Sequence, residues 1–146
     1  MLRITAAASV LAVGLAGCAI GITPGQSPSG DYKVEVGYQK AYQLARTQAE
    51  QCLTGKDAYQ VRGTVDDAGR KATLRVTAPF SDNDVARVDI VGIDAGHSDV
   101  HIAMWGRSVW NADAVIAMRD AIRFQVPSCV SYMPSDTNNP VTPPPK

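Results

Sequence analysis

Asp94, His97, Asp99 and His101 form the densest polar constellation in the chain. A histidine held by a carboxylate serves as a general base or as a metal ligand near neutral pH. The surrounding pattern puts His97 in a turn and His101 on the outward side of the following strand. Four strand positions separate them by about 13 Å, too far to share one metal without a bulge. Asp, Gly, His and Ser are also the ordinary composition of a turn. No nucleophile signature accompanies them: Ser81 and Ser108 lack the Gly-x-Ser-x-Gly setting. Gly92-Ile93-Asp94-Ala95-Gly96 lacks the Gly-Lys-Ser/Thr ending of a phosphate loop. Asp66 with Asp67, and Asp82 with Asp84, fall in turns and read as solvated. We therefore expect no catalytic residue, no metal and no cofactor. A small envelope hydrolase or metal-binding protein using His97 or His101 is the runner-up.

The three cysteines carry a different chemistry. Cys52 and Cys129 form an even pair, and in an exported chain such a pair reads as a disulfide. It would close a loop of about 77 residues, which the chain-entropy model values at about 4.5 kcal/mol. Two histidines and no paired-cysteine spacing argue against zinc. Cys18 stands apart, at the end of an uncharged run from Ile4 that follows Arg3. That run is shorter than the roughly 20 residues of a membrane span. Basic start, apolar middle and small-residue end are the three parts of an export signal.

Leu15-Ala16-Gly17-Cys18 resembles the lipobox of bacterial lipoproteins. The resemblance covers about twenty residues of 146 and is silent on the domain behind them. It implies that residues 1–17 are a signal peptide removed by cleavage, and that Cys18 becomes a lipidated first residue carrying several acyl chains. One short chain binds a bilayer only marginally, at about 0.8 kcal/mol per buried methylene, but several make attachment effectively permanent. Ala19 resembles the residue that follows the cysteine in outer-membrane members of that class. Removing residues 1–17 takes away Arg3 alone among charged residues and leaves 13 Lys+Arg against 14 Asp+Glu. The mature chain then has no basic footprint for nucleic acid.

Several elements must position these groups. Residues 18–36, with Pro24, Pro28 and several glycines, read as a flexible tether. Ser29-Gly30-Asp31-Tyr32 reads as a turn, with a short edge strand open at Val34 and Val36. Residues 37–133 form the domain. Tyr38, Ala41, Tyr42, Ala45, Ala49, Cys52 and Leu53 recur at spacings of three and four, which predicts a helix over 38–53, stopped at Gly55. Four period-two runs follow, near 59–65, 71–78, 86–93 and 99–105, separated by turn residues. A second helix spans 109–125, with Ser108 as N-cap and Pro127 beyond its end. Residues 134–146 read as a disordered, proline-rich tail.

The expected fold is α+β: helix, four antiparallel strands, helix. A strict meander would put Cys52 and the end of the second helix at opposite ends of the sheet. Residues 125–129 could reach back only about 16 Å, so either the helices cross steeply, or a crossover breaks the meander, or the disulfide does not form; we keep the disulfide and doubt the strict meander.

Val91, Ile93, Ala103 and Trp105 fall on the outward side of the second hairpin, an apolar patch that needs covering. We read it as an interaction surface. The expected function is a small lipid-anchored periplasmic module, non-enzymatic, held to the bilayer through acylated Cys18 and engaging an envelope protein or a second copy of itself. Ser29-Gly30-Asp31-Tyr32 resembles the Ser-Gly-rich motif of lipoproteins that block lysozyme-like enzymes. That resemblance implies a periplasmic inhibitor or ligand carrier, although those proteins are mostly β.

Overall fold

The computed structural model describes residues 20–55 and 58–129. The expected signal peptide, the expected lipidation site Cys18 and the expected disordered tail lie outside the described residues. The chain runs β1 (Ser29–Val34), α1 (Tyr38–Cys52), β2 (Gln60–Asp66), β3 (Lys71–Thr77), β4 (Asp84–Gly92), β5 (Ser98–Met104) and α2 (Ala112–Phe124). The five strands form one antiparallel sheet in the order β1-β5-β4-β3-β2. The α+β class is as expected, with one strand more than the four read from periodicity.

Alternation fixes which face is buried. Ala72, Leu74 and Val76 on β3, Val88 and Ile90 on β4, and Val100 and Ile102 on β5 are all buried. Each points to the side where the helices lie. α1 covers β2, β3 and β4, and α2 covers β5 and β1. α1 contributes Ala41, Leu44, Ala45, Ala49 and Cys52 to the core, and α2 contributes Ala114, Val115, Met118, Ala121 and Ile122. The stripe is small-sided on α1, so that helix sits close to the sheet. The α1 N-cap, Gly37, meets the β4–β5 turn: a Cβ there would lie 2.5 Å from the Ala95 carbonyl oxygen. Gly63 on edge strand β2 is roofed by the Tyr42 ring, which leaves no space for a side chain.

Four expectations need correcting. Ser29-Gly30-Asp31-Tyr32 is strand rather than turn, because β5 offers a free edge and pairs with it from Ser29↔Ala103 to Val34↔Ser98. The segment expected as a tether is largely docked. The Ile22 amide donates to the Asp84 carbonyl at 2.8 Å, and the Met104 amide donates to the Pro28 carbonyl at 2.9 Å. The Ser27 hydroxyl accepts from the Thr23 amide and donates to the Trp105 carbonyl.

The other two corrections concern the C-terminal half. α2 starts at Ala112, with Asn111 as its cap: the Asn111 side chain accepts from the Ala114 amide at 3.1 Å. Ser108 instead sits in a turn with φ 55°. Finally, β2 to β5 do form a strict meander, and the Cys52–Cys129 disulfide is present with Cα atoms 5.3 Å apart. α2 ends at Gln125, which takes a left-handed conformation, φ 58°. The returning segment is then clamped to α1. Buried Gln48 donates to the Ser128 carbonyl at 3.0 Å and accepts from the Ser128 amide at 2.9 Å. Among the described residues no helix is long and apolar enough to cross a membrane.

Candidate functional site

Both helices lie on one side of the sheet, so its other face is open. Antiparallel register lines the residues of that face into three rows that cross all five strands. One row is Asp31, His101, Asp89, Thr73 and Thr64; the next is Ser29, Ala103, Arg87, Arg75 and Arg62; the third is Lys33, Asp99, Val91, Lys71 and Asp66. Directly opposed like charges destabilise a sheet, and the second row sets three arginines side by side. Each has a carboxylate partner: Arg62 with Asp82 at 3.2 Å, Arg75 with Asp84 at 2.6 Å, and Arg87 with Asp89 at 2.7 Å. Arg87 also reaches Asp84 at 3.5 Å, so Arg75 and Arg87 share that carboxylate.

Asp89 lies at the centre of this network, between Arg87 and Thr73. Partial burial pushes its carboxyl upward. The hydrogen bonds from Arg87 and Thr73, with the charges of Arg87 and His101, overcome this and hold it below the usual carboxylate range. The Thr73 hydroxyl donates to it at 2.8 Å. The Asp89 hydrogen bond in turn holds the Arg87 guanidinium protonated beyond its ordinary range.

The constellation read from the sequence divides into two pairs that do not meet. His97 Nδ1 lies 2.8 Å from Asp94, inside the β4–β5 turn. The Asp94 carboxyl is held low by that contact and by the Gly96 amide. His101 Nδ1 lies 2.7 Å from Asp31 on β1, a partner that strand-to-strand pairing supplies and sequence proximity could not reveal. Asp99 faces Lys33 and Val91 across the sheet. A shallow depression of about 490 Å³ lies over this corner, lined by Asp31, Lys33, Asp89, Val91, Asp99 and His101 among others. Among the described residues no group of three or more His, Cys, Asp or Glu is placed to hold a metal ion.

The apolar quartet does not form one patch. Val91 and Ile93 are each 43% exposed, but Ala103 is only 6% exposed, and Trp105 is half-buried against the core. Val91 is opposite Asp99 and Arg87 is opposite Ala103, so the two halves lie at different ends of the sheet. Trp105 follows the last residue of β5; its amide donates to the Val85 carbonyl at 2.8 Å and its side chain packs against the core. Its ring centroid is 6.2 Å from that of Trp110, which also stacks on Tyr59 at 4.2 Å. The Trp110 indole N–H donates to the Leu53 carbonyl at 3.1 Å.

What periodicity missed is the arginine row and its acids. Arg62, Arg75 and Arg87 each stand at an outward strand position. Register alone makes them neighbours, and register follows from turn geometry as well as pattern.

No family model matches the chain, and no curated protein matches it. Among solved structures it is similar to a Thalictrum flavum norcoclaurine synthase point mutant in complex with a transition-state analogue, at 9% identity and a TM-score of 0.33, over 67% of this chain and 91% of that one.

Proposed function

We propose that this chain is a bacterial lipoprotein, exported, acylated on Cys18 and held on the periplasmic side of the outer membrane. In this reading it is a binding module, and the open sheet face receives an envelope partner. The lipobox Leu15-Ala16-Gly17-Cys18 supports the anchor.

The observation that carries the binding reading is the bare sheet face, whose row of three arginines is already paired with carboxylates. Unpaired charges at a docking surface must be stripped of water when a partner arrives, at a cost of several kcal/mol each. Here Arg62, Arg75 and Arg87 meet their carboxylates within the face itself. Such a surface suits a polar, partly hydrated interface, in which hydrogen bonds give specificity and a small apolar contact at Val91 contributes area. The acid–base pairs give less support to hydrolysis. His97 and His101 each contact a separate carboxylate, from turn and strand respectively.

The experiment is co-isolation from detergent-solubilised envelope after crosslinking in cells. Wild-type chain is compared with an Arg75→Glu, Arg87→Glu double variant whose folding is verified by circular dichroism. We expect one co-isolating envelope component, lost in the variant. Equal recovery from both, or none from wild type, overturns the binding reading.

A further inference from the structure

We infer that the end of the domain carrying the β3–β4 turn lies against the bilayer, with the Phe80 ring inserted among the lipids. This deepens the lipoprotein reading above and rests on it. Phe80 is fully exposed at the tip of that turn, with a left-handed backbone at φ 58°. The turn is closed beneath it by the Ala78 amide donating to the Asn83 carbonyl at 3.0 Å. A singly exposed apolar residue is ordinary on a protein surface; Phe80 stands out by its place, on a constrained tip beside the segment that leads to Cys18.

The anchor geometry names the occupant. Ile22 is fixed to β4 through Asp84, at the base of the same turn. Gly21 packs against Asn83, where a Cβ would come within 3.1 Å of the Asn83 Cβ. Only Ala19 and Ile20 separate Cys18 from that docked backbone. Four residue steps from Cys18 to Ile22 span at most about 14 Å when fully extended. A lipidated Cys18 therefore cannot hold the β3–β4 turn far from the membrane surface. Ile20, half exposed, adds a second apolar group on the linking stretch.

Electrostatics at this end allow the approach. Asp82 is paired with Arg62, and Asp84 with Arg75 and Arg87, so the acids nearest the tip meet an anionic surface already neutralised. Exposed Arg107 stands over the Trp105 ring at 5.8 Å, in the turn that follows β5. Aromatic rings accompanied by cations suit the headgroup layer. With this end down, the β2–β3 and β4–β5 turns, with Asp94 and His97, point away from the bilayer, and the open sheet face stands upright beside it.

The test uses the full lipidated chain in vesicles of phosphatidylethanolamine and phosphatidylglycerol. With Cys18 acylated and Cys52 bonded to Cys129, one added cysteine takes an environment-sensitive dye selectively. Phe80→Cys and Ala95→Cys place that dye at opposite ends of the sheet. We expect brominated lipid to quench the dye at position 80 and spare that at position 95, and aqueous iodide to do the reverse, each contrast about tenfold. Equal quenching at both positions, or the reverse order, overturns the inference even when fatty acid is found on Cys18. A chain that takes no fatty acid overturns the anchored reading and this inference together. A dye at position 80 that only a protein partner shields, with lipid alone leaving it in water, also overturns it.

Discussion

Reduction of the Cys52–Cys129 disulfide is the perturbation whose size the structure fixes best. The bond closes a sequence separation of 77 residues, and constraining a loop of that length in the unfolded chain is worth about 4.5 kcal/mol at 25 °C. Small domains are stable by about 5–15 kcal/mol in total, so this is a large fraction. The folded chain, however, does not depend on the bond alone to bring Cys129 to α1. Gln48 holds Ser128 through two hydrogen bonds from the helix core, and Trp110 ties the start of α2 to Leu53. The reduced protein should therefore keep its fold in the absence of denaturant and lose stability mainly through a freer unfolded state. With a urea dependence of about 1.5 kcal/mol per molar, the midpoint should fall by about 3 M, and the slope should steepen because the unlinked unfolded chain exposes more surface. The assay is urea unfolding followed by circular dichroism, on oxidised chain, on chain held in reductant, and on a Cys129→Ala variant. The last two should coincide. A loss below about 1 kcal/mol, or a reduced chain with no native signal at zero urea, would refute the reasoning.

Three further outcomes follow from packing and charge. Trp105→Glu should destabilise the domain by about 2–4 kcal/mol, because it puts a carboxylate beside the Trp110 ring and removes a large packed ring; thermal unfolding checks it, and an unchanged midpoint would return Trp105 to the surface. Gly37→Ala would ordinarily stabilise slightly, since its φ of −64° suits any residue and alanine restricts the unfolded chain. Contact with the Ala95 carbonyl should reverse the sign to a loss of about 1–3 kcal/mol, and a gain would show that the β4–β5 turn yields freely. Asp89 is held below its unfolded range, so its contribution is present above the unfolded carboxylate pKa and fades as pH drops through the lower folded value. Asp89→Asn should flatten that acid limb in stability measured against pH, and an identical profile would mean that the Arg87 and Thr73 contacts contribute nothing.

Much of the fold was legible because period-two alternation is unambiguous in β2 to β5 and the α1 stripe recurs at three and four. The limits of those elements match to within a few residues. β1 was not legible as a strand: Ser29-Gly30-Asp31-Tyr32 has turn composition, and only the free edge of β5 makes it pair. The docked segment before it was hidden for a similar reason. Pro24, Pro28 and the glycines describe a chain unable to form regular structure, and say nothing of the backbone partners Asp84 and Met104 that hold it. The α2 start was misplaced because Ser108 and Asn111 are both good caps, and Trp110 reaching Leu53 decides between them. The open face was partly legible. Period-two alternation puts Arg62, Arg75 and Arg87 opposite the buried residues of their strands, yet their meeting depends on a register no local pattern specifies. Trp105 misled because alternation was carried one residue beyond the end of β5 at Met104.

Metabolic labelling with a radioactive fatty acid tests the central claim most directly, with wild-type chain beside Cys18→Ser in the same cells. The account predicts a labelled, membrane-sedimenting wild type and an unlabelled variant released by osmotic shock. An unlabelled wild type recovered with the shock fluid would contradict it.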